Sequence, residues 1–82
     1  MITVSQYQRI RDLREDSDLT QAQVANAINC SQQVYSNYEL GQRSLPPEIL
    51  ISLAKFHHTS VDYLLGLTDV KTPYPAARFI GR

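Results

Sequence analysis

Cysteine occurs once in this chain of 82 residues, at Cys30, so no disulfide can close within it. A lone thiol also fits a reducing compartment. Net charge is absent too: 8 basic residues balance 8 acidic ones. The bulk basic excess usual in a nucleic-acid binder is therefore missing, and charge placement has to decide that question. No apolar run is long enough to span a bilayer, and the start, MITVSQYQRI, lacks the apolar core of a signal peptide. A soluble cytoplasmic protein with no membrane partner is the expectation. His57 and His58 are adjacent and so point apart on a helix, and with one cysteine no zinc-motif spacing arises. No metal and no other cofactor is expected. The chain also lacks a Gly-rich phosphate loop, an ordered Ser/His/Asp set and a carboxylate pair with a pocket behind it, so no catalytic residues are assigned. Internal repeats, low-complexity segments and the alternating pattern of strands are missing as well.

What remains is one domain's length of helical punctuation. A first helix is predicted from about Ser5 to Asp16, with Tyr7, Ile10 and Leu13 at helical spacing. In LTQAQV, Thr20 and Gln23 form a capping box, with Leu19 and Val24 placed as a hydrophobic staple. That second helix runs to about Ala27, with Val24, Ala25 and Ile28 inward. Asn29 suits a left-handed turn residue, and Ser31 caps a third helix that ends before Gly41. Two helices joined by so short a turn must cross sharply. Pro47 fits the first turn of a fourth helix, whose inner stripe is Leu50, Leu53, Ala54 and His57. A buried His57 needs a hydrogen-bond partner. Ser60 caps a short fifth helix through about Leu65, closed by Gly66.

The third helix, within CSQQVYSNYELGQ, is built from amides and tyrosines. If Tyr35 and Tyr38 face inward with Cys30 as a small packing residue, the opposite face centres on Gln33 and Asn37, flanked by Gln32, Val34 and Ser36. A side-chain amide matches the major-groove edge of adenine bidentately, and valine can meet a thymine methyl. The same amides would also serve as a neutral solvated surface.

The stretch LTQAQVANAINCSQQVYSNYELGQ resembles the helix-turn-helix core of the Cro/repressor-type family, also called the XRE family. ILISLAKFHHTSVDYLLG is similar to that family's fourth and fifth helices, so the resemblance covers roughly residues 5 to 66. It implies an all-α, compact five-helix, lambda-repressor-like domain that binds double-stranded DNA with its third helix in the major groove. Carried onto this sequence, the base-contacting positions are Gln32, Gln33, Val34 and Asn37. The backbone-contacting positions are Gln21, Ser31, Ser36, Arg43 and Ser44. Arg14 and Glu39 match a structural ion pair tying the first helix to the third. The chain departs from the family at Asn29, where glycine is common, at His57 and Thr59, and in its low positive charge.

Residues 1–66 are thus expected to form the DNA-binding domain and residues 67–82 a C-terminal tail. Tyr74, Phe79 and Ile80 suggest that the tail docks, either back onto the domain or onto another subunit. Arg78 and Arg82 offer phosphate contacts as the competing use. The function expected is a transcriptional regulator of a bacterium or phage, a nucleoid-associated repressor acting as a homodimer on an inverted-repeat operator. The alternative is an antitoxin-type protein that binds a partner protein through the tail and autoregulates its own gene.

Overall fold

A computed structural model describes residues 7–75. They form α1 (Gln8–Asp16), α2 (Gln21–Ala27), α3 (Gln32–Glu39), α4 (Pro47–Phe56) and α5 (Val61–Leu64), and no strand occurs among the described residues. The expected all-α, five-helix architecture is what the described residues adopt.

The helix starts are local chemistry. Gln23 N–H donates to Thr20 Oγ1 at 3.1 Å, and Thr20 N–H donates back to Gln23 Oε1 at 2.8 Å, completing the capping box. Ser31 Oγ accepts from Val34 N–H at 3.1 Å and Ser60 Oγ from Tyr63 N–H at 3.0 Å. Pro47 stands at the first position of α4, where a missing N–H leaves nothing unsatisfied. α1 is the exception. It begins at Gln8, later than its apolar spacing suggests, because Tyr7 takes the N-cap place with non-helical backbone (φ −117°, ψ 43°) and no side-chain cap. Tyr7 is buried, and its hydroxyl accepts from Leu45 N–H at 3.4 Å.

The helix ends share one device. After each helix a residue with positive φ turns the chain: Asp18, Asn29, Gly41, His58 and Gly66. In each case its N–H and the next one donate back to carbonyls of the last turn, as in Gly41 to Tyr38 at 3.1 Å and Gln42 to Asn37 at 2.9 Å. This is the Schellman arrangement, which satisfies carbonyls left over at a helix end. Asn29, Gly41 and Gly66 were expected there from the sequence; Asp18 and His58 were not.

The core gathers Ile10 and Leu13 of α1, Val24 and Ala25 of α2, Tyr35 and Tyr38 of α3, Leu53 and Ala54 of α4, and Leu64 of α5, with Tyr7, Ile28 and Leu45 from the joints. α1 packs on α3 and α5, α2 on α3, and α4 on α5. Leu19, Cys30 and Leu50 pack partly buried against this cluster, as expected of them. Burial pushes the Cys30 thiol pKa up, the opposite of what a reactive thiolate needs. His57 is half-buried, but its Nε2 lacks a hydrogen-bond partner among the described residues. Burial, then the charge of Lys71, holds its pKa below the ordinary 6.5.

After α5 the chain runs back along the helical body as a strap. Arg9 does most of the fastening: its Nη1 donates to Tyr63 O at 2.9 Å and to Thr68 O, and its Nη2 meets Asp69 at 2.6 Å. The guanidinium also lies 4.1 Å from the Tyr63 ring centre, a cation–π contact. Thr59 Oγ1 donates to Lys71 O, and Tyr74 Oη donates to Asp62 at 2.9 Å. Up to Pro75, then, these contacts of the tail are with its own domain. Arg78, Phe79, Ile80 and Arg82 lie outside the described residues.

Candidate nucleic-acid interface

The turn Ile28–Asn29–Cys30 aims α3. Asn29 takes φ 59°, its N–H donates to Asn26 O, and Cys30 N–H donates to Ala25 O. Ser31 then starts α3 at once. Tyr35 and Tyr38 bury against the core, which fixes the roll of α3 about its axis. With that roll set, Gln32 and Gln33 are exposed, while Val34, Ser36 and Asn37 are half-buried. Val34 rests against the core cluster, so only part of its surface faces out. Ser31 is exposed, with its hydroxyl engaged in capping. Arg43 and Ser44 are exposed on the loop after α3, next to exposed Gln42. The outer surface of α3 therefore presents amides and hydroxyls without a formal charge of its own. Such groups suit hydrogen bonding to base edges, and carry no charge to attract phosphate from a distance.

One carboxylate organises the back of this surface. Glu39, the last residue of α3, has a side chain only 3% exposed. Arg14 donates to it twice, Nε to Oε2 at 2.6 Å and Nη2 to Oε1 at 3.1 Å. This is the pair that the resemblance implied. Arg14 Nη1 also donates to Leu19 O at 3.0 Å, which anchors the approach to α2. Gln21 adds a third donor to Glu39, Nε2 to Oε1 at 3.1 Å. Burial alone would raise the Glu39 pKa. Arg14 first, then the Tyr35 hydroxyl and the Gln21 amide, outweigh it and hold the carboxyl below its ordinary 4.5. The hydrogen bond to Glu39 raises the Arg14 pKa in turn. Burial, then the Glu39 carboxylate, pushes the Tyr35 phenol well up.

The ends of α1 and α3 and the start of α2 thus converge on a neutral pair. Two contacts in this arrangement were not read from the sequence. Gln21 had been assigned to DNA alone, and no local signal links it to a residue so far along the chain. Arg9 had no role assigned from the sequence: arginines flank the buried Ile10 on both sides, and nothing local tells Arg9, which fastens the strap, from Arg11, which pairs with Glu15 on its own helix.

Residues 10–64 match the family model described as Helix-turn-helix. The chain is 41% identical over 66 residues to the uncharacterized HTH-type transcriptional regulator YobD of Bacillus subtilis (strain 168), across 80% of this chain and 59% of that protein. It is 40% identical over 58 residues to the cryptic phage CTXphi transcriptional repressor RstR of Vibrio cholerae, across 71% of this chain and 52% of that protein. The solved structure of the P22 c2 repressor protein in complex with synthetic operator 9T matches with a TM-score of 0.70 at 30% identity, over 77% of this chain and 96% of that one. The chain spans between 52% and 59% of the length of the two curated relatives named here.

Proposed function

The chain belongs to the Cro/repressor-type helix-turn-helix family, and from that premise we propose that it is a sequence-specific double-stranded DNA-binding transcriptional regulator acting as a repressor. Two copies of α3 enter successive major grooves about 34 Å apart, so the operator is an inverted repeat. Gln32, Gln33, the exposed part of Val34 and Asn37 meet base edges. Gln21, Ser31, Ser36, Arg43 and Ser44 meet the backbone. Repression works by occupancy of the operator, at the nucleoid, in the cytoplasm.

The observation that carries this reading is the combination of an amide-bearing outer face on α3 with the neutralised carboxylate behind it. A lone Glu39 charge would repel phosphate; paired with Arg14 it does not. The likeness to a repressor whose structure was solved on an operator supports the same reading. For the dimer, support comes from exposed apolar residues at the end of α5 and along the strap: Leu65, Leu67, Val70 and Tyr74. A second copy would cover these residues.

The test is selection of bound sites from random duplex DNA at a stated salt concentration. An inverted-repeat motif is the expected result. Recovery of no motif would overturn sequence-specific binding, and a single asymmetric half-site would overturn the dimer.

A further inference from the structure

Gln21 and Glu39 lie 18 residues apart and share a hydrogen bond, Nε2 to Oε1 at 3.1 Å. Glu39 is itself held from the other side by Arg14, and Arg14 by Leu19 O. The acceptor is therefore a fixed point in the fold. A primary amide nitrogen carries two N–H groups. One of those on Gln21 is committed to Glu39, which orients the amide and leaves the second N–H for another acceptor. Gln21 is only half-buried, so that acceptor can come from outside the protein.

We propose that Glu39 is a positioning residue for DNA: it holds the Gln21 amide in the free protein so that its second N–H meets a backbone phosphate oxygen. This rests on the reading of the chain as a duplex-DNA binder. A glutamine side chain free in solvent has to be ordered when it binds, and that ordering weakens the contact. Here the fold has ordered it beforehand. The Arg14 charge makes the arrangement tolerable, because a phosphate approaching Gln21 meets a neutral pair behind the amide rather than a bare carboxylate. A phosphate contact carries no sequence information. Its loss must therefore weaken operator and random DNA by the same factor, whereas a loosened α3 would weaken the operator more.

Fluorescence anisotropy at one salt concentration, with an operator and a random duplex of equal length, tests this on Gln21→Met, Glu39→Gln and the double variant. Gln21→Met is expected to weaken both duplexes equally, by about tenfold, the loss of one hydrogen bond to a charged group. Glu39→Gln is expected to weaken both equally and less, and to add nothing in the Gln21→Met background. A loss confined to the operator, or a full further loss in that background, overturns the proposal. Should Glu39→Gln not fold, the side-chain amide proton resonances of Gln21 in the unmodified protein decide. They are expected to shift when random duplex is added, and no shift overturns the proposal. If the unmodified protein binds neither duplex, the DNA-binding reading itself is what fails.

Discussion

Glu39→Ala tests the buried ion pair directly. It removes the acceptor of three donors, two on Arg14 and one on Gln21. Arg14, with its side chain 14% exposed, is left without its main counter-charge. Removing one partner of a buried ion pair costs about 3–5 kcal/mol. Arg14 keeps the Leu19 carbonyl, and Glu15 stands 3.9 Å away, so the lower end applies, about 3 kcal/mol. In a domain of this size each kcal/mol moves Tm by about 4–8 °C, which puts the expected drop at about 12–24 °C. The pH dependence follows from the lowered Glu39 pKa. A depressed carboxylate pKa contributes stability that is fully present above the ordinary 4.5 and is lost as pH falls through the folded value. The gap between the two proteins should therefore be largest near neutrality and close in acid. Thermal melts followed by circular dichroism at neutral pH, with urea titrations there and well below the ordinary carboxylate pKa, measure both. Replacing the pair together, Arg14→Met with Glu39→Leu, should recover most of the loss, since no lone charge remains. A Tm within about 4 °C of the unmodified protein at neutral pH, or a gap that persists undiminished in acid, would refute the reasoning.

Three further outcomes are expected. Gln33→Ala should lower affinity for the selected operator by about 1–3 kcal/mol and leave random-sequence binding nearly unchanged; an equal loss on both in a competition titration would mean that Gln33 reads no base. His58→Gly should raise stability by about 1 kcal/mol, because His58 sits at φ 58° where glycine has no side-chain penalty; a urea titration showing a loss would contradict the strain argument. Gly66→Ala should lower stability by about 1–2 kcal/mol on backbone strain alone, since φ is 79° and an added Cβ meets nothing within 4 Å. No change in its urea midpoint would mean that the turn yields.

The helix boundaries were legible in the chain because caps are short-range chemistry. Thr20 with Gln23, Ser31 with Val34, and Ser60 with Tyr63 each bridge three residues, so residue types at fixed offsets suffice. Asn29 was readable as a left-handed position, and Gly41 and Gly66 as helix stops, for the same reason. Asp18 and His58 adopt that conformation too, although Asp and His, like Asn, are enriched there. The start of α1 was misplaced because Tyr7 gives up a helical backbone to reach the core and Leu45, a partner 38 residues away.

The face of α3 followed from the spacing of Tyr35 and Tyr38. The Arg14–Glu39 pair came only through family resemblance, since nothing local joins a first-helix arginine to a third-helix acid. How far Val34 turns inward, that Gln21 shares Glu39 with Arg14, and that Arg9 fastens the strap were decided by the tertiary structure alone. The physical reason is common to all three. A period of 3.6 residues says which side of a helix is apolar, but the angle and roll at which helices cross decide which distant polar groups come within 3 Å or so of each other.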